Sequence, residues 1–150
     1  MITLTCSTEA ETRAVGRRLA SLLRAGDIVL LAGDLGAGKT VFAGGIAEGL
    51  GVEVPVVSPS FVLVRRYEGL MTMLHADLYR VGSSGEIEDL DLTTDAAEGV
   101  LVVEWGDVAE QAFGDHYLII RFSADEDGVR TLRLHPHGSR APRPLEEVAG

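Results

Sequence analysis

The sequence predicts an α/β fold built on one mixed, mostly parallel sheet with antiparallel additions, and three observations predict it. Two continuous apolar runs, "DIVLLAG" and "VLVVEW", have the character of strands covered on both faces, the habit of parallel sheets. Around them lie stretches whose apolar residues recur at three and four, the period of a helix. Further β-rich segments occur in pairs separated by short turns, which add antiparallel strands.

In chain order, "MITLTC" is β-rich, and Ser7 and Thr8 are candidate caps of a helix with Ala14, Val15, Leu19, Leu22 and Leu23 on one stripe, ended by Gly26. "DIVLLAG" follows as the first buried strand. "KTVFAGGIAEGLG" sets Val41, Phe42, Ile46 and Leu50 on a second helical stripe that stops at Gly51. "SFVLVRRYEG" and "LMTMLHADLYR" read as two strands joined near Gly69. The acidic, weakly helical "SGEIEDLDLTTDAAEG" leads into "VLVVEW", and the short helix "GDVAEQAFGD" into a closing strand pair, "YLIIRFS" and "VRTLRLHP", around "ADEDG". One domain over residues 1–136 is expected, with "HGSRAPRPLEEVAG" at 137–150, rich in proline and closely spaced charge, as a mobile tail.

The 150 residues are 46% apolar and 24% charged, the composition of a globular domain and not of a disordered chain. A net charge of -10 gives a field that repels phosphate backbones, so unaided binding to nucleic acid is disfavoured. Arg13, Arg17, Arg18 and Arg24 recur at roughly helical spacing and read as a solvated helix face. Cys6 is the lone cysteine, which excludes an internal disulfide and a thiol metal cluster. No window approaches the ~18 apolar residues of a bilayer span, and the first residues lack a basic-then-apolar leader. A reducing, cytoplasmic setting without a membrane is expected.

Between the first buried strand and the second helix lies "GDLGAGKT": Gly33, four residues, then Gly38, Lys39 and Thr40. This is the spacing of a phosphate-binding loop, in the strand-to-helix context that such a loop requires. Its glycines let successive N–H groups turn inward around phosphate oxygens, and the helix start adds positive potential. Lys39 supplies an ammonium for the β- and γ-phosphates, and the Thr40 hydroxyl one oxygen for Mg²⁺. A dinucleotide loop is ruled out because Gly36 and Gly38 are followed at the required third place by Val41.

Such a loop needs carboxylates as well. Glu104 ends "VLVVEW" and Asp77 ends "MTMLHAD", which places both at the carboxyl edge of the sheet, where open α/β sheets bind ligands. His75, two residues before Asp77, shares its side of the strand and reads as a core or hydrogen-bonded histidine, while strand alternation sends Trp105 to the face opposite Glu104. Ser58 and Ser60 in "SPSF" offer hydroxyls of the kind that loops use to sense a γ-phosphate, or alternatively to close a turn.

Taken in order and spacing, "GDLGAGKT", "SPSFVLV", "YEG", "LHADLYR", "DLDL" and "VLVVEW" resemble the bacterial TsaE family, over residues 1 to about 134. The resemblance implies a single-domain, three-layer P-loop NTPase-like fold that binds and hydrolyses ATP with Mg²⁺. It implies work beside TsaD and TsaB type subunits, whose transferase places threonylcarbamoyl on adenosine 37 of tRNAs reading ANN codons. By motif, Leu35, Gly36, Ala37, Gly38, Lys39 and Thr40 resemble the nucleotide loop, Thr40 and Glu104 the Mg²⁺ ligands, and Asp77 the acid needed for hydrolysis. Glu9 resembles a position near the nucleotide base, Ser58 and Ser60 a switch loop, and Trp105 the tryptophan beside the metal acid. Three positions depart from the family pattern. Val41 stands where a second threonine is usual and leaves only its N–H for the α-phosphate, Ser60 replaces a threonine but keeps the hydroxyl, and Ala76 replaces an aromatic.

The residues themselves leave two rivals. A small-molecule kinase would pass the γ-phosphate to a metabolite beneath an arginine-bearing lid, for which the short connections leave little room. A nucleotide-dependent binding switch would make association its output and hydrolysis incidental. Arg65, Arg66 and Arg80 lie near the motifs, and none has a spacing that fixes it in the site.

Overall fold

Four parallel strands form the centre of the sheet in the computed structural model, which describes residues 1–33, 36–57, 64–78, 92–105, 110, 113–139, 141–142 and 145–149. The elements are β1 (Ile2–Cys6), α1 (Glu9–Ala20), β2 (Ile28–Ala32), α2 (Lys39–Gly49), β3 (Val64–Tyr67), β4 (Met73–Asp77), α3 (Leu92–Asp95), β5 (Val100–Glu104), β6 (Tyr117–Ala124) and β7 (Arg130–His137), followed by a 3-10 turn at Leu145–Ala149. The strands lie in the order β1-β7-β6-β2-β5-β4-β3. Strands β6, β2, β5 and β4 run parallel, whereas β7 and β3 are antiparallel to their inner neighbours. The mixed sheet with antiparallel margins is therefore the one that the sequence pattern predicts.

Each central strand is apolar on both faces because each face is covered. Val29 and Leu31 of β2, Val100 and Val102 of β5, and Leu118 and Ile120 of β6 point to one side, where they pack with Val15 and Leu19 of α1 and Phe42 and Ile46 of α2. Leu30, Leu101, Val103 and Ile119 point to the other, beneath Leu78, Leu92, Ala96 and Phe113. Three layers result. Among the described residues no helix is long and apolar enough to cross a membrane.

Helix α1 starts where the sequence suggests, at Thr8: its Oγ1 accepts from the Glu11 N–H at 3.1 Å, while Glu11 Oε2 accepts from the Ser7 N–H at 2.5 Å. It ends at Ala20, however, and not at Gly26. The Ser21 hydroxyl donates to the Arg18 carbonyl and turns the chain there, so Leu22 and Leu23 follow in tight turns. The segment expected to be a mobile tail also differs from that expectation. Val148 is fully buried, and Arg18 Nε donates to its carbonyl at 2.7 Å, which docks the last turn against α1. Proline and charge hid one well-placed valine. Most of "GDVAEQAFGD" and the first half of the acidic stretch lie outside the described residues.

Candidate functional site

The register of the parallel strands decides which carboxylates meet. Asp77 of β4 lies beside Glu104 of β5, and Glu104 beside Leu31 of β2, so both acids and the end of the loop strand reach the same edge. Beyond β2 the chain passes Gly36 at φ +81° and Gly38 at φ +103°, left-handed backbone that costs glycine little and other residues more. Gly38 is the N-cap of α2 and, having no side chain, gives the first N–H groups of that helix no side-chain cap, at the end of the helix whose potential favours an anion.

Lys39, buried at 4% exposure, donates through Nζ to the Gly33 carbonyl, and the same ammonium sits 3.4 Å from the centroid of the Trp105 ring. Trp105 reaches this position against strand alternation. At φ +67° it takes left-handed backbone as β5 ends, its N–H donates to the Leu31 carbonyl at 2.6 Å, and its ring lines the cavity on the same side as Glu104. Thr40 Oγ1 lies 3.1 and 3.2 Å from the two oxygens of Glu104 and donates to that carboxylate. From behind, His75 Nε2 meets Glu104 Oε2 at 2.6 Å.

These groups face a cavity of about 360 Å³ lined by Glu9, Gly36, Gly38, Lys39, Thr40, Val41, Asp77, Glu104 and Trp105 together with residues that the sequence did not single out. Among the described residues the buried polar side chains are Thr12, Lys39, His75, Asp77 and Glu104. All five line this cavity or touch a residue that does. Burying polar and charged groups is costly unless partners repay it, so their concentration at one place makes this cavity the candidate functional site.

Nine of the sequence-derived residues are thus brought together. Ala37 is instead buried in the helix-side core, and Leu35, Ser58 and Ser60 lie outside the described residues. The sequence reading missed Arg130: from the start of β7 it lines the cavity, and its Nη1 and Nη2 donate to the Gly128 and Gly36 carbonyls, each at 2.9 Å. Ninety-four residues separate it from Gly36, and the pairings of β6 with β2 and of β6 with β7 carry it back. Thr8 and Thr12 also line the cavity, although Thr8 was legible only as a cap. Arg66 faces solvent in a pair with Glu68, Arg65 is exposed on β3, and Arg80 lies outside the described residues.

Comparison with known proteins bears on the same stretch of chain. The family model "Threonylcarbamoyl adenosine biosynthesis protein TsaE" matches residues 6–132. A protein of Streptomyces coelicolor named tRNA threonylcarbamoyladenosine biosynthesis protein TsaE is 52% identical, over 85% of this chain and 92% of its own. Its namesake in Bacillus subtilis is 36% identical, over 93% and 88%. The crystal structure of Bacillus subtilis YdiB superposes with a TM-score of 0.79 at 30% identity, over 98% of this chain and 90% of that one.

Proposed function

Because the chain belongs to the TsaE family of threonylcarbamoyl adenosine biosynthesis proteins, we propose that it is a Mg²⁺-dependent ATPase of the cytoplasm that works beside TsaD and TsaB type subunits. Its task would be to support formation of the threonylcarbamoyl group on adenosine 37 of tRNAs reading ANN codons. One observation carries the nucleotide part of this reading: the buried polar side chains Lys39, Asp77 and Glu104 gather in the one cavity that the glycine turn and the uncapped start of α2 border.

The residues present fit the ligand. Thr40 and Glu104 offer one hydroxyl and one carboxylate at mutual distances of 3.1 and 3.2 Å, a small donor set suited to an ion that keeps phosphate and water in its remaining places. Mg²⁺ held there would neutralise charge on the phosphate oxygens. The protein's own groups do the rest. The N–H groups at the start of α2 hold the phosphate chain, and Lys39 transfers its ammonium from the Gly33 carbonyl to the phosphate oxygens. Asp77, side by side with Glu104, orients the attacking water and takes its proton on a carboxylate oxygen.

Replacing Lys39 is the direct test. Loss of one charge-assisted contact costs ~1.5–3 kcal/mol, roughly ten- to a hundredfold in affinity. Lys39→Ala is therefore expected to bind ATP at least tenfold more weakly by calorimetry and to lose turnover, with and without the partner subunits. A Lys39→Ala protein that binds and cleaves ATP as the parent does overturns the proposal.

A further inference from the structure

We infer that His75 is a positioning residue: through Nε2 it holds the Glu104 carboxylate in the orientation in which Glu104 and Thr40 together receive the metal ion. This rests on the reading of Thr40 and Glu104 as metal ligands. Three observations point to it. His75 has no exposure, sits on β4 in register with Val102, and lies on the helix side of the sheet, behind the cavity rather than in it. Its Nε2 is 2.6 Å from Glu104 Oε2, the same oxygen that lies 3.2 Å from the Thr40 hydroxyl. Its Nδ1 is enclosed with no hydrogen-bond partner.

The enclosed Nδ1 is the informative atom. A buried ring nitrogen without a partner is a cost that an apolar side chain of similar size would avoid, so packing alone does not account for an imidazole here. What the ring gains is one bond, and it makes that bond to Glu104. With Nε2–H donating from behind and Thr40 Oγ1–H from the loop side, the carboxylate is held between two donors from different elements. Carboxylates so held keep their oxygens aimed when the hydroxyl turns toward an ion, the role that outer partners play at metal sites.

The atom-level claim separates two near-isosteric variants. In His75→Gln the amide nitrogen stands as many bonds from Cα as Nε2, whereas in His75→Asn it stands where Nδ1 does. Calorimetric titration with a non-hydrolysable ATP analogue, in Mg²⁺ and in EDTA, is expected to give parent and His75→Gln similar Mg²⁺-dependent gains in affinity. The gain in His75→Asn falls about tenfold, the scale of lost outer-shell partners. In EDTA the three proteins bind alike. Ligand-free crystal structures are expected to keep Glu104 within hydrogen-bonding distance of Thr40 in His75→Gln and to show it turned away in His75→Asn. An Asn variant that keeps both the gain and the geometry overturns the inference, as does a Gln variant that loses both. Should the Asn protein fail to fold, the Gln variant decides alone by the same criterion. Parent binding that is indifferent to Mg²⁺ removes the metal reading, and the crystal geometry then judges the positioning of Glu104 by itself.

Discussion

Lys39 is the chain's single lysine and Trp105 its single tryptophan, and the structure stacks one on the other with 3.4 Å from ammonium to ring centroid. A cation over an indole is stabilised by about 0.5–2 kcal/mol, and the Gly33 carbonyl adds a hydrogen bond. Both contacts are weaker than a bond to phosphate, so they can hold the ammonium ready without opposing its transfer. A second residue behaves far from its solution norm for a different reason. The Tyr117 hydroxyl donates to Glu110 Oε2 at 2.7 Å, and burial, reinforced by that carboxylate, pushes its pKa up to about 12. An unfolded tyrosine ionises near 10. The folded value lies above the unfolded one, so the stability that this group contributes is complete below about pH 10 and is lost as pH rises through about 12. Chemical denaturation of the parent between those limits should show stability falling with pH. In Tyr117→Phe the fall is expected to be shallower, and an identical slope in both proteins would contradict the assignment.

At the scale of elements, the crossing of α1 and α2 shows what the apolar pattern can and cannot convey. The stripes Val15 and Leu19, and Phe42 and Ile46, announced two helices that pack on the sheet, and they do. How closely the helices approach each other is set by residues that such a stripe omits. A Cβ on Gly16 would fall 2.5 Å from the Phe42 carbonyl oxygen, and one on Gly45 would overlap the Arg13 carbonyl. Gly44, one residue away, has nothing within 4 Å of such an atom. The pair makes a controlled experiment inside one helix. Gly44→Ala is expected to stabilise by ~0.5–1 kcal/mol through helix propensity alone, while Gly45→Ala overpacks the crossing and destabilises by ~1–3 kcal/mol. In a chain of this size each kcal/mol moves Tm by about 2–4 °C, so thermal melts should separate in opposite directions. Shifts of the same sign would mean that the helices do not meet at these glycines. The end of α1 at Ala20 was illegible for a related reason: Leu22 and Leu23 continue the stripe in composition, and only the Ser21 hydroxyl on the Arg18 carbonyl shows that the helix has stopped.

Across the whole molecule, sequence-local signals proved readable and long-range pairings did not. The meeting of the glycine loop, Asp77 and Glu104 was legible because each lies at the end of an apolar strand, and strand direction sends such ends to one edge. Arg130 was not: the closing pair of β6 and β7 was expected, but its place beside Gly36 also depends on β6 lying next to β2, which no local pattern announces. The same wide view bears on tRNA. The chain carries a net charge of -10, and its described arginines are largely engaged within it: Arg13 and Arg17 with Glu48, Arg66 with Glu68, Arg121 with Glu110, and Arg18 and Arg130 with carbonyls. Binding to a nucleic acid draws on cations that can neutralise phosphates, and its strength falls as salt rises in proportion to their number. With its described guanidinium groups largely so occupied, and in a repulsive field, the chain is expected to draw little on that term. Gel-shift titration of tRNA with this chain alone, at about 0.15 M salt, is therefore expected to show no complex up to about 100 μM protein, the weak end of non-specific affinities. Binding below that concentration, weakening steeply with added salt, would reveal a basic surface and return direct tRNA contact to this chain.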